Sequence, residues 1–278
     1  MRIEITTDPA EFRSRAEPFL LRDLLRHTVI STRVADHLAG IDARPAPCHY
    51  LTVHVEDAQS PVIGVAMRVE GNDVYLGELP DGSLAAVAEA LAEVAPDSGG
   101  VEGAMSAATE FAEHWYRLVG KDFRYRYTVR LYRLGVLRVP HATGAARQVT
   151  RADIALCAQW LTDMYGHQIA PSSIARRVDA GRWWLWERDG RPVGLAAHQI
   201  PSNGWSRIGP VYTPPSERGR GVASALSAHV AGLLRAEGLD VCLFADTATP
   251  TAHKIYQSIG FHPTHEFVRH QFVGRAAR

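Results

Sequence analysis

Val211-Tyr212-Thr213-Pro214-Pro215-Ser216-Glu217-Arg218-Gly219-Arg220-Gly221-Val222-Ala223-Ser224 reads as the end of a strand, a kinked loop, an Arg-Gly-x-Gly turn and the opening of an amphipathic helix. Glycines there let successive backbone N–H groups turn inward, and the helix that follows adds its own unpaired N-terminal donors. Such a cradle suits an anion, foremost a phosphate or pyrophosphate. Arg218 and Arg220 add positive charge at its rim.

Three phosphate-loop patterns compete for this stretch. A P-loop requires Gly-Lys-Ser/Thr, but Gly221 is followed by Val222-Ala223. A dinucleotide fingerprint requires a third glycine, and Ser224 stands in its place. The pattern Arg/Gln-x-x-Gly-x-Gly/Ala is met by Arg218, Gly221 and Ala223. Downstream, Val222, Leu226, Val230 and Leu233 recur at helical spacing, with Gly238 as a stop. Val241-Cys242-Leu243-Phe244-Ala245 then reads as a short buried strand. In Thr249-Pro250-Thr251-Ala252-His253-Lys254-Ile255-Tyr256-Gln257-Ser258-Ile259-Gly260-Phe261, Thr249 suits an N-cap, Pro250 a first helical position and Gly260 a stop.

Taken in order from Arg207 to Phe272, these motifs resemble the GNAT acyltransferase superfamily. The resemblance implies a mixed, mostly antiparallel sheet flanked by helices, with a splayed-strand slot for acetyl-coenzyme A (acetyl-CoA). It assigns coenzyme contacts to Val211, Tyr212, Thr213, Arg218, Gly219, Arg220, Gly221, Val222, Ala223, Ser224 and Thr249, with the N–H of Val211 near the thioester carbonyl. It makes Tyr256 the catalytic group that protonates the departing thiolate, a task suited to a phenol that stays protonated near neutral pH. The family usually has Asn where this chain has Thr249, which lacks an amide donor beside its acceptor.

The residues alone leave alternatives open. Gly209-Pro210 within an apolar run predicts a bulge that frees backbone for an extended amide ligand, or simply an edge strand. Tyr256 by spacing alone equally fits a core ring with a surface hydroxyl. For the general base, His198 and Glu187 end neighbouring strands; each also fits a structural or solvated role.

The first half repeats the rhythm without the chemistry. Helical segments around Phe12 to Leu25 are expected to break at Pro18. Tyr50–Val55, Pro61–Arg68 and Val74–Leu76 read as strands, Leu84–Val94 and Ala107–Val119 as helices, and Tyr125–Leu134 as a long strand. No Arg-x-x-Gly-x-Gly precedes Leu84. Arg124, Arg126, Arg130 and Arg133 read as a solvated strand face, His114-Trp115-Tyr116 as packing, and Gly135–Gly144 as a linker.

Composition sets the outer limits. A chain of 278 residues suggests two domains. Thirty basic and thirty acidic side chains (Lys+Arg 30, Asp+Glu 30) cancel, which argues against nucleic acid or an anionic membrane as partner. Three separated cysteines without Cys-x-x-Cys pairing suggest a reducing, cytoplasmic setting and no structural metal. The expectation is an α/β (α+β) protein of two tandem GNAT-like modules, 1–140 degenerate and 141–278 catalytic. Its activity would be N-acetyl transfer from acetyl-CoA to a primary amine, a small molecule, by direct attack on the thioester. The alternatives are a catalytically silent acyl-CoA-binding or regulatory protein and, more remotely, a nicotinamide oxidoreductase.

Overall fold

The computed structural model describes residues 1–41, 48–69 and 73–274, and the chain divides into two compact units. The first contains Met1–Arg130, Asp246–Ala248 and the stretch from His265; the second contains Leu131–Ala245 and Thr249–Thr264. In chain order the first half forms β1 (Arg2–Thr6), α1 (Pro9–Leu20), α2 (Thr28–Leu38), β2 (Cys48–His54), β3 (Val62–Val69), β4 (Val74–Leu76), α3 (Leu84–Val94), β5 (Gly100–Gly103), α4 (Met105–Val119) and β6 (Asp122–Leu134). The second half forms β7 (Ala145–Gln148), α5 (Ile154–Tyr165), α6 (Pro171–Asp179), β8 (Trp183–Arg188), β9 (Arg191–His198), β10 (Trp205–Tyr212), α7 (Val222–Ala236), β11 (Asp240–Asp246), α8 (Pro250–Ser258) and β12 (Phe261–Val273).

Periodicity explains the helices. In α3, Leu84, Val87, Ala88 and Leu91 are buried, and in α4 Ala108, Phe111, Ala112 and Trp115 follow the same i, i+3, i+4, i+7 rule. Pro18 does not break α1, which runs through it to Leu20 before a 3₁₀ turn at Leu21–Asp23. A proline in the last turn forfeits one backbone bond, while Phe12, Ala16, Phe19 and Leu20 keep the buried stripe. The strand β5 carried no sequence signal because it begins and ends in glycine. Those glycines are needed: a Cβ on Gly100 would lie 2.4 Å from the carbonyl oxygen of His270, and one on Gly103 would lie 2.9 Å from Cβ of Leu76.

In the first unit the strands run in the order β1-β2-β3-β4-β5-β12, antiparallel except for the parallel pair β4–β5. In the second the order is β6-β11-β10-β9-β8-β7, with β10–β11 parallel and β7–β8, β8–β9 and β9–β10 antiparallel. A clean division between residues 140 and 141 therefore differs from the fold. Leu131–Leu134 of β6 belong to the second unit, and His265–Val273 of β12 to the first. There Val268 and Phe272 enter the core, and Phe272 stacks on Trp115 with ring centroids 5.3 Å apart. Trp115 is thus packing, as expected, while Tyr116 is exposed. Of the strand arginines, Arg130 donates to Glu266 at 2.7 Å.

The segment 135–144 is fastened along the second unit. Gly135 N–H donates to Gly260 O (2.9 Å), Arg138 N–H to Ile259 O (3.0 Å), and Trp186 Nε1 to Thr143 O (2.9 Å). Among the described residues no helix is long and apolar enough to cross a membrane.

Candidate active site

The strands β10 and β11 pair from Trp205 with Asp240 as far as Ile208 with Leu243, and there the ladder ends among the described residues. The β9–β10 register shifts between Ile208 and Val211, at the cis Gly209–Pro210 bond. Gln199 fixes this irregular stretch, its Nε2 donating to Gly209 O at 2.8 Å and its backbone N–H to Arg207 O at 2.8 Å. Val211 thus lies past the last β10–β11 pair, which is the bulge-and-open-end arrangement anticipated from Gly209-Pro210.

The loop that follows is tightly held. Arg218 Nε turns back to Thr213 O (3.1 Å), Arg188 pairs with the Glu217 carboxylate, and Arg220 stands 3.9 Å from the same carboxylate. Gly219 (φ 75°) and Gly221 (φ 78°) are left-handed, and Gly221 is the N-cap of α7. The first closed helical bond runs from Ala225 N–H to Gly221 O, leaving the donors of Val222, Ala223 and Ser224 at the open helix end. Arg218 is engaged in its own loop and Glu217 offsets nearby positive charge. Backbone donors and the helix dipole, roughly half an elementary charge, therefore dominate the attraction for an anion. Ala142 lies 3.8 Å from where a Cβ of Gly221 would stand, so the segment 135–144 borders the cradle.

Tyr256 is buried in α8 in the same apolar cluster as Val222, Ala225 and Ala245, with Val211 and Ala252 packed against it. Its ring lies 6.5 Å from that of Tyr132 and 6.1 Å from that of Phe261. Burial pushes its phenol up to about 12. The phenol of Tyr212, next to the loop, is also raised, by burial first and by the charge of Asp163 second. Thr249 occupies the N-cap position of α8 but its hydroxyl makes no cap bond; its φ and ψ of −114° and 79° depart from usual cap geometry. Ala252 N–H is satisfied instead by Thr249 O at 3.0 Å. The helix is tied elsewhere: the hydroxyl of fully buried Tyr132 lies 2.6 Å from Nδ1 of His253. Sequence reasoning missed Tyr132, which sits on β6, and the Arg188–Glu217 pair, whose only local signal was an acid beside Arg218.

Each of the two candidate bases is engaged by neighbours of its own. His198 is the register partner of Ile208, short of Val211, and lies close enough to Glu237 at the far end of α7 to feel its charge. Its Nδ1 faces Gln199 O at 3.1 Å, which fixes the proton there, and burial lowers its pKa. Glu187 is held by Arg147 at 2.7 Å; the same guanidinium holds Asp153 through two bonds of 2.8 and 2.9 Å. Cys157, with its thiol pushed up to about 12 by burial, is no nucleophile at neutral pH. Cys48 and Cys242 are also free and buried.

The corresponding turn of the first unit has different contents. Between β4 and α3 stand Gly77, Glu78, Leu79, Pro80, Asp81, Gly82 and Ser83, with two acids and a proline that lacks a donor. Buried His27 occupies the N–H of Glu78 (Nε2, 3.1 Å) while its Nδ1 donates to Leu20 O (3.2 Å). Burial lowers its pKa. This turn sets two carboxylates and an occupied N–H where the other sets two left-handed glycines.

A helix N-terminus opened by left-handed Gly219 and Gly221, with Val222, Val211 and Ala245 in one apolar cluster past the last β10–β11 pair, is chemically suited to an anion. Residues 151–261 match the model of the acetyltransferase (GNAT) family. Among curated proteins it is 33% identical over 81 residues to the uncharacterized protein YkzC of Bacillus subtilis, covering 28% of this chain and 57% of that one. It is 37% identical over 90 residues to the mycothiol acetyltransferase of Thermobispora bispora, covering 30% of each. The matched stretch thus spans about half and under a third of these relatives. Three solved structures share the fold over almost the whole chain. A Drosophila protein matches with TM-score 0.74 at 12% identity, covering 99% of both chains. A GNAT-family acetyltransferase from Colwellia psychrerythraea matches with TM-score 0.60 at 10% identity, covering 98% of this chain and 100% of that one. A GCN5-related N-acetyltransferase from Sphaerobacter thermophilus matches with TM-score 0.59 at 19% identity, covering 97% and 95%.

Proposed function

We propose that the second unit binds acetyl-CoA and transfers its acetyl group to a primary amine of a small molecule by direct attack. The observation that carries this reading is the left-handed Gly219/Gly221 loop opening α7 beside the unpaired end of β10 and β11, with Tyr256 in the same cluster. Acetyl-CoA would supply an activated acyl group as its thioester. Backbone donors from Gly219 to Ser224 hold the pyrophosphate, Tyr212, Thr213 and Thr249 border the pantetheine path, and Val211 N–H serves the carbonyl oxygen. The neutral amine forms the C–N bond as the C–S bond breaks, and the proton lost by nitrogen balances the thiolate. A thiol ordinarily titrates near 8.5, well below about 12 for Tyr256. Tyr256 therefore keeps its proton and offers the sulfur a hydrogen bond as negative charge develops there.

The burial that lowers the pKa of His198 and the engagement of Glu187 by Arg147 favour one second reading, an acyl-CoA-binding protein without turnover. Calorimetry with coenzyme A and with NADH, followed by thiol release across an amine panel, separates the readings. One coenzyme A per chain and amine-dependent thiol release are expected. Binding of NADH in preference to coenzyme A overturns both; binding without release from any amine leaves the silent protein.

A further inference from the structure

We propose that Tyr132 and His253 form a positioning pair that seats Tyr256 for its work at the coenzyme sulfur; the inference rests on the acyl-transfer reading. Four observations converge. The side chain at the N-cap of α8, Thr249, does not hold the helix end. In its place the Tyr132 hydroxyl reaches Nδ1 of His253 at 2.6 Å, a short bond between a fully buried phenol and a residue in the first turns of α8. His253 precedes Tyr256 by three residues and so shares its helix face. The ring of Tyr132 then contacts both partners, at 5.7 Å from His253 and 6.5 Å from Tyr256.

The physics follows from α8 being a helix of nine residues, too short to define its own position without tertiary contacts. Phe261 supports one side of the Tyr256 ring edge-on, and Tyr132 stands on another. The hydroxyl of Tyr132 cannot rotate away without leaving a buried donor unpaired, so its ring, the imidazole and the helix turn are locked together. Hydrogen-bond donation to a developing charge is sensitive to sub-ångström placement, which gives such a lock catalytic consequence although neither residue touches the reacting atoms.

The test uses full-length protein carrying ring-¹³C tyrosine, with the Tyr256 resonance assigned by its loss in Tyr256→Phe. Tyr132→Phe and His253→Ala should shift that resonance alike, and His253→Asn, which keeps an acceptor near the Nδ1 position, should restore it. Under saturating acetyl-CoA the first two should lower turnover about tenfold with coenzyme Kd changed less than about twofold, as misplacement rather than lost binding requires. Placed on a Tyr256→Phe background, Tyr132→Phe should cost no further turnover, because it acts through the missing hydroxyl. An unmoved Tyr256 resonance in both variants, or a Tyr132→Phe cost that persists in full without the Tyr256 hydroxyl, overturns the proposal. If the parent acetylates no amine, the acyl-transfer reading fails separately, and the resonance still decides whether the pair seats Tyr256.

Discussion

Burial of the Tyr256 ring raises its phenol from near 10 in the unfolded chain to about 12, and the sign of that shift makes a prediction that needs no substrate. The folded state holds this proton more tightly. The stabilisation is therefore complete below pH 10 and is lost as pH rises through 12, by about 2–3 kcal/mol in total. Tyr256→Phe should flatten that alkaline decline in urea-unfolding measurements made between about pH 10 and 12, and an unchanged decline would contradict the burial argument. The same variant should lose about 10²–10³-fold in turnover if its hydroxyl serves the sulfur, with coenzyme affinity retained. Tyr256 was legible in the sequence because helix start, stop and motif lie within a few residues of it. Tyr132 was not, because nothing local distinguishes it from the other aromatic residues of β6.

At the scale of elements, the cradle depends on backbone conformation more than on charge. A Cβ at Gly221 would meet only Ala142, at an ordinary 3.8 Å, so space does not forbid a side chain there; the φ of 78° does. Gly221→Val should destabilise by about 1–3 kcal/mol and weaken coenzyme A binding, while Gly221→Asn, which tolerates the left-handed region, should do much less of both. Equal binding by the valine and asparagine variants in calorimetry would show that the loop is not the cradle. The segment 135–144 was expected to be a linker, yet its carbonyls and N–H groups are bonded to Trp186, Gly260 and Ile259. Trp186→Phe removes the bond to Thr143 and should cost about 1 kcal/mol, with faster amide exchange around Ala142 as the local signature.

On the scale of the whole molecule, the last strand of the chain stabilises the first unit. Phe272 is far from Trp115 in sequence but stacks on it at an interplanar angle of 6°. Phe272→Ala should lower stability by about 3–5 kcal/mol and deprotect amides of α3 and α4 in hydrogen exchange. Protection lost only around α7 and α8 would contradict the assignment of His265–Val273 to the first unit.

The sequence by itself determined what local chemistry can specify: the glycine loop and its helix, the strand after it, the motif carrying Tyr256, and most elements of the first half. Periodicity, caps and turn residues act over a few positions, and there the reading and the fold agree. It did not reveal β5, whose glycines are placed by close contacts with Leu76 and His270, or the continuation of α1 through Pro18. Tertiary structure alone decided that β6 and β12 are each shared out between units, that Arg147 holds Glu187, and that Tyr132 reaches His253. Those outcomes depend on which distant surfaces bury each other, a choice made by packing complementarity over the whole chain and not encoded in any short window of it.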